Sequence, residues 1–214
     1  MRRAYLGDPT NPANQGEDIR EDESTSVFVS NLPSDCLPTH VLMQLRGVGK
    51  IWASNFIPPQ APYTTAASKI VFWDRDGLDA FFAKWRHGDF IVSGHRPHVV
   101  MNWFRTSSKP PSDESRALTV TGPPEIVELF RLCEFLQAHF HFELEDMIEM
   151  PGAPDEGQTT IEVRFASWRA QASKAWSVVR KAIAGVEMPE TPMTEREKYL
   201  WRSVTVDWAP DPSA

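Results

Sequence analysis

The sequence predicts an α+β fold: two tandem βαββαβ modules of the ferredoxin-like plan, each a four-stranded antiparallel sheet with two helices on one face. Three observations predict it. Short β-branched and aromatic runs alternate with amphipathic runs at helical spacing, and the order strand, helix, strand, strand, helix, strand occurs twice. A Ser- and Pro-rich stretch, "RTSSKPPSDES" (105–115), separates the two sets. The 214 residues, 41% hydrophobic and 24% charged, suffice for two packed cores of ordinary small-domain size.

In the first set, "SVFVSNL" (26–32) is the opening strand. A helix follows near 38–46, with Val41, Leu42 and Leu45 at helical spacing and Gly47 and Gly49 ending it. "KIWASNFI" (50–57) is a strand stopped by Pro58 and Pro59, and "TAASKIVFW" (65–73) is the next. Asp74 or Asp76 caps a second helix, on which Leu78, Phe81, Phe82 and Trp85 recur at i, i+3, i+4, i+7. "HVVMNWF" (98–104) closes the set. In the second set, "ALTVTG" (117–122) precedes a periodic helix through Ile126, Val127, Leu129, Phe130, Cys133 and Leu136. "HFHFELEDMIEM" (139–150) alternates as a strand, "TTIEVRF" (159–165) is the next, and 168–184 is a helix with Gly185 at its end. "SVTVDW" (203–208) is last. The expected organisation is a disordered acidic arm (1–24), domain 1 (25–105), a linker (106–115), domain 2 (116–209) and a tail (210–214).

Charge divides the modules. The net charge is −7, but residues 26–105 hold eight basic and five acidic residues, net +3, with four histidines. Residues 116–214 hold ten basic and sixteen acidic residues, net −6. The two halves are therefore expected to have different partners. No run approaches the ~20 apolar residues that span a bilayer, so no membrane partner is expected. The N-terminal residues resemble neither a secretory signal nor a transit peptide, which makes a nuclear or cytoplasmic protein the default. Cys36 and Cys133 form no C-x-x-C pair and are expected as unpaired, packed thiols.

Alternation puts Val27 and Val29 toward the core and Phe28 on the open face of its strand. The run Val27, Phe28, Val29, Ser30, Asn31, Leu32 matches the first-strand hexamer of the RNA recognition motif, and the chain resembles that family. The resemblance implies that Phe28 stacks a nucleotide base, with Ser30 and Asn31 beside it. The family's third-strand octamer aligns with Thr65–Phe72. Ile70 and Phe72 keep its core positions, while Ala67 and Lys69 replace its stacking aromatics. Lys69 remains a phosphate contact, and Trp52 and Trp103 are candidate supplements to a thin platform. Domain 2 has Thr119 at the place of Phe28 and Glu162 where a base would stack. Its carboxylate repels phosphate. The wording of "NPAN" (11–14), "NLPSDC" (31–36), "RGVGKIWA" (46–53), "TAASKIVFW" (65–73) and "FELEDMI" (142–148) is also similar to a group of uncharacterised filamentous-fungal proteins with such motifs.

Other constellations are weaker. His139, His141 and Glu143 share a face if 139–150 is a strand, but no fourth metal ligand accompanies them. His87, His95 and His98 surround the last strand of domain 1 and read chiefly as solvated loop residues. No nucleophile motif, Gly-rich phosphate loop or H-E-x-x-H stands in the chain. The expected protein is not an enzyme and takes no cofactor. It binds single-stranded RNA on domain 1, weakly to moderately, through Phe28, Ser30, Asn31, Lys69, Trp52 and Trp103. Domain 2 serves as a protein-interaction or packing module. The alternative is a scaffold in which both modules bind protein and neither binds RNA.

Overall fold

The structure, a computed structural model, describes residues 16–151 and 157–214. Domain 1 runs β1 (Ser26–Leu32), α1 (Pro38–Leu42), β2 (Ile51–Ile57), β3 (Ala66–Phe72), α2 (Arg75–His87), β4 (His98–Met101). Domain 2 runs β5 (Ala117–Gly122), α3 (Leu129–His139), β6 (Leu144–Glu149), β7 (Thr159–Phe165), α4 (Ser173–Ile183), α5 (Glu195–Trp201), β8 (Thr205–Trp208). The strand orders are β2-β3-β1-β4 and β6-β7-β5-β8, with every pairing antiparallel. Both halves have the ferredoxin-like α+β fold.

Most of each core is built from residues that the periodicity marks, although Phe130, expected on the apolar side of the helix after β5, is 78% exposed and Leu132 is buried in its place. Val27, Val29, Ile70, Phe72 and Val99 line the inner face of the first sheet and meet Leu42, Leu45, Leu78 and Phe81. Leu118, Val120, Ile161 and Val163 do the same in the second, against Leu132, Leu136, Val178 and Val179. The Asp74 side chain accepts from the Gly77 N–H at 2.9 Å, and Gly88 closes α2 in the left-handed region at φ 92°.

Several boundaries differ from expectation. Helix α1 ends at Leu42 and continues as a single tighter turn, Met43–Leu45. Strand β4 ends at Met101, so Trp103 lies beyond it. His139 is the last residue of α3 and not part of a strand, because the buried Leu132 and Leu136 carry the helix through it. His139 hydrogen-bonds Thr191 Oγ1 at 2.9 Å, so the shared strand face with His141 and Glu143 does not form. The expected helix 168–184 is broken. Trp168–Ala172 is an irregular turn in which Ala170 has φ 61°, and α4 begins at Ser173. Helix α5 stands where the periodicity showed nothing, opened by a capping box between Thr194 and Glu197.

The arm and linker also depart from expectation. Residues 1–15 of the expected arm lie outside the described residues. Residues 16–24, expected to be disordered, are hydrogen-bonded. The Glu17 N–H donates to the Arg105 carbonyl at 3.0 Å, and Arg105 Nη1 to the Ile19 carbonyl at 2.6 Å. Arg75 Nη1 bridges the carbonyls of Asp22 (2.9 Å) and Ser24 (3.1 Å). The linker is strapped to domain 1: Lys109 N–H donates to Trp73 O and Trp73 Nε1 to Pro110 O, both at 2.7 Å. Its Ser and Pro content avoids helix and sheet, yet its backbone still finds partners.

The domains meet in a polar seam. Arg116 is fully buried between Glu145 (2.5 Å) and Asp211 (3.4 Å), and it donates to the Phe165 carbonyl at 2.8 Å. Glu145 also pairs with Arg46 of domain 1, so two guanidiniums balance two carboxylates. Residues 210–214, expected as a tail, are part of this seam. The Ser213 carbonyl accepts from the N–H groups of Val48 (2.9 Å) and Gly49 (2.8 Å). On the other side, Ser167 Oγ accepts from Ser54 N–H and donates to Ser54 O, both at 2.9 Å. That hydroxyl occupies part of the free edge of β2.

Candidate nucleic-acid interface

Directly opposed residues of an antiparallel pair share a face. Phe28 stands opposite Lys69 of β3 and Val100 of β4, and Lys69 stands opposite Asn55 of β2. These four therefore form one row across the outer face of the first sheet. Phe28 is half-buried and Val100 is 40% exposed. One row along, Ser30 pairs with the exposed His98 on the same face. Asn31 is exposed and adopts φ 59° where the pairing of β1 with β3 shifts register. Asn tolerates this conformation better than most residues, which places it at the rim of the face.

The opposite end of the face is closed. Ser26, Val71 and Ala53 share the row there, and Ser26 and Val71 are buried. Asn102 Nδ2 bonds Ser26 Oγ at 2.9 Å, holding the segment after β4 against β1. Phe104 then reaches back to Lys69, whose Nζ lies 5.7 Å from its ring centroid. Burial lowers the Lys69 ammonium below its usual range, and the Arg169 guanidinium nearby adds to the shift. Trp103, between them in sequence, is 90% exposed, a large ring held in solvent beside the platform.

Trp52 has another surrounding than a stacking platform requires. Trp168 of domain 2 stacks on it with centroids 6.4 Å apart, and Lys109 Nζ and Arg169 Cζ lie 4.6 and 4.9 Å from its ring. Protein groups occupy this ring because the second domain docks on the β2 edge. Of the six residues that the sequence singled out, Phe28, Ser30, Asn31 and Lys69 come together on one face or its rim. Trp103 flanks that face, and Trp52 belongs to the seam. Sequence reasoning missed Asn55, Val100, Phe104, Lys109 and Arg169. Alternation on β2 and β4 could have found the first two. Phe104 falls in an expected strand that the structure ends before it, Arg169 in an expected helix that the structure breaks, and Lys109 in the linker, where no periodicity gave a signal.

The second sheet presents a different face. Thr119 stands opposite Glu162 and Asp207, and Glu162 opposite Ile148. Arg164 bonds Glu162 at 2.5 Å, so the cation on this strand is already matched by a carboxylate. The row has no aromatic ring.

No family model matches the chain, and no curated protein matches it. Among solved structures it is similar to the Sxl-lethal protein in complex with RNA, at 16% identity over 87% of this chain and 99% of that one, with a TM-score of 0.30. It is also similar to RRM domains 1 and 2 of Prp24 from S. cerevisiae, at 15% identity over 90% and 98% of the two chains, with a TM-score of 0.31. A third is the first two RRM domains of the yeast poly(U) binding protein Pub1, at 13% identity over 87% and 99%, with a TM-score of 0.30. The fold assignment rests on the strand order and pairing of this chain itself. Among the described residues no helix is long and apolar enough to cross a membrane.

Proposed function

We propose that the protein binds single-stranded RNA on the outer face of the first sheet. The observation that carries this reading is the direct opposition of Phe28 and Lys69 on a face whose neighbouring positions, Val100, Ser30 and His98, remain accessible. An aromatic face beside a cation offers a base and its phosphate adjoining partners. Asn31 at the rim and Trp103 beyond β4 extend the surface for a neighbouring nucleotide. Domain 2, with an acidic row and no ring, supports the first domain by packing and takes no base on its own sheet. The reading is of a binding module in the nucleus or cytoplasm and not of an enzyme.

Phe28→Ala tests it. Titration with a mixed-sequence RNA oligonucleotide should show affinity weaker by roughly 1–3 kcal/mol, the usual worth of one stacked base. The melting temperature should change little, because Phe28 is only half-buried. Unchanged affinity with a sharply lowered melting temperature would overturn the reading and favour a protein-binding scaffold.

A further inference from the structure

The helical side of domain 2 carries a positive helix in a negative domain. Residues 173–186, "SKAWSVVRKAIAGV", hold three basic residues and no acidic one, within a half of net charge −6. Helix α4 turns Ala175, Val178, Val179 and Ala182 into the second core. That leaves Lys174, Ser177, Lys181 and Ala184 exposed at i, i+3, i+7 and i+10, one outward face, with Arg180 exposed beside it. Among the described residues no carboxylate forms an ion pair with Lys174, Arg180 or Lys181. Glu187 is held by Lys198 at 2.6 Å, and Glu190 faces His139 at 3.8 Å. His139 registers the field of the two lysines: burial lowers its imidazole, Glu190 opposes this, and Lys174 and Lys181 lower it further. Arg180 and Lys181 suit the C-terminus of α4, where the macrodipole is negative. Lys174 stands in the first turn, where a cation costs stability, so helix energetics do not account for it.

A groove runs beside these charges. Trp176, Ser177, Arg180, Lys181, Ala184 and Val186 line a volume of about 420 Å³ on the surface. A Schellman turn places Val186 there. Gly185 adopts φ 68°, its N–H donates to the Ala182 carbonyl, and the Val186 N–H donates to the Lys181 carbonyl, both at 3.0 Å. In such turns the residue after the glycine commonly packs back on the helix, yet Val186 remains 46% exposed. The Trp176 ring is stacked on Trp208 with centroids 4.8 Å apart at 13°, and the Arg180 guanidinium lies over it at 5.9 Å. So engaged, the ring offers its edge to the groove and not a face to a nucleotide base.

From this geometry we infer that the groove on α4 docks an acidic peptide segment of a partner protein, its carboxylates on Lys174, Arg180 and Lys181 and an apolar side chain against Val186, Ala184 and the edge of Trp176. Charge complementarity selects the class of partner. Two features favour a peptide over RNA. The engaged Trp176 ring cannot stack a base. A strand longer than the groove also runs its phosphates over the acidic remainder of the domain, whereas a peptide can confine its charge to the groove. The inference is independent of the RNA-binding reading and gives domain 2 a surface of its own, on its helices and not on its sheet.

The test uses the full chain and fluorescence anisotropy with a short labelled peptide of Asp and Glu around one central Leu. The peptide should bind, and added salt should weaken the binding. Lys174→Gln and Lys181→Gln should each lower affinity by about two- to fivefold, the range of exposed ion pairs, at an unchanged melting temperature. Val186→Ser should weaken it too, as should Ser in place of the peptide's Leu. RNA affinity should be the same in wild type and in both Gln variants. The inference is overturned if the acidic peptide does not bind, if a Lys and Arg counterpart binds as well, or if the Ser peptide binds equally, which would leave only diffuse charge attraction. It is also overturned if the Gln variants lose RNA affinity, which would make α4 part of a nucleic-acid surface. The Phe28→Ala titration bears on the sheet face alone, so the two readings fail separately.

Discussion

Glu17 illustrates how one side chain can set the state of a surface. Burial pushes its carboxyl pKa up, but hydrogen bonds from Ser107 and the charge of Lys109 outweigh that and hold it below the ordinary range. The ionised form is therefore the one the fold favours. Its contribution is complete above the unfolded value, about 4.3 for a glutamate, and is lost as pH falls through the lower folded value. Comparison of wild type with Glu17→Gln by urea denaturation across pH checks this. The stability difference should be present at neutral pH and close under acid conditions. A difference unchanged by acid would show that the carboxylate charge is not what ties the arm down. Phe28 and Lys69 were legible in the sequence because alternation assigns each strand residue a face. Glu17 was not, since its partners lie 90 and 92 residues away, outside any periodic pattern.

At the scale of elements, six of the eight strands were legible to within two residues at each end, because turn residues bound them and their inward positions are apolar, while β4 stops three residues short of the expected end, at Met101. β6 was also expected, but its first five residues belong to α3 and the connection after it. There, Phe140 and Phe142 alternate with polar residues yet pack against the second core from irregular backbone. Helix α5 was missed because seven residues are too few to establish a period, although Thr194 and Glu197 stand at capping-box spacing. The break before α4 was invisible because Ala170 is a strong helix former and nothing in "SWRAQAS" signals a turn. The seam imposes that break, as Trp168 and Ser167 both reach the first domain. Ala170→Gly should therefore stabilise the protein, by roughly 1–2 kcal/mol from relief of the left-handed strain, less what glycine's extra unfolded-state freedom costs. A rise in the denaturation midpoint at unchanged slope is the expected result, and a fall would show that the turn is relaxed as it stands.

For the whole molecule, the decisive feature is the quartet of Arg46, Arg116, Glu145 and Asp211, of which all but Arg46 are buried. Breaking such a network by removing one partner leaves a charge without compensation, and costs about 3–5 kcal/mol. Arg116→Ala should lower stability by that order and separate unfolding of the two domains into distinct calorimetric steps. Wild type should unfold in one. A single, barely shifted transition in the variant would show that apolar packing holds the seam. The sequence suggested two domains joined by a linker, the second a protein-interaction or packing module, and did not reveal this buried union. Arg116 reads as one more polar residue beside a linker, and only its burial marks it as structural.

The seam also orders events in time. A ribosome releases the first module long before the segment that completes it. The Ile51 N–H meets the Asp211 carboxylate 160 residues later at 3.4 Å, and the amides of Val48 and Gly49 wait for the Ser213 carbonyl. Until those residues emerge, the nascent first module keeps unmet donors in the loop before β2, and the β2 edge lacks the Ser167 hydroxyl. Modules usually fold in the order they are made. Here the first to be made is the last to be finished, which gives the growing chain an interval in which chaperones, or a neighbouring nascent chain, can reach that open edge.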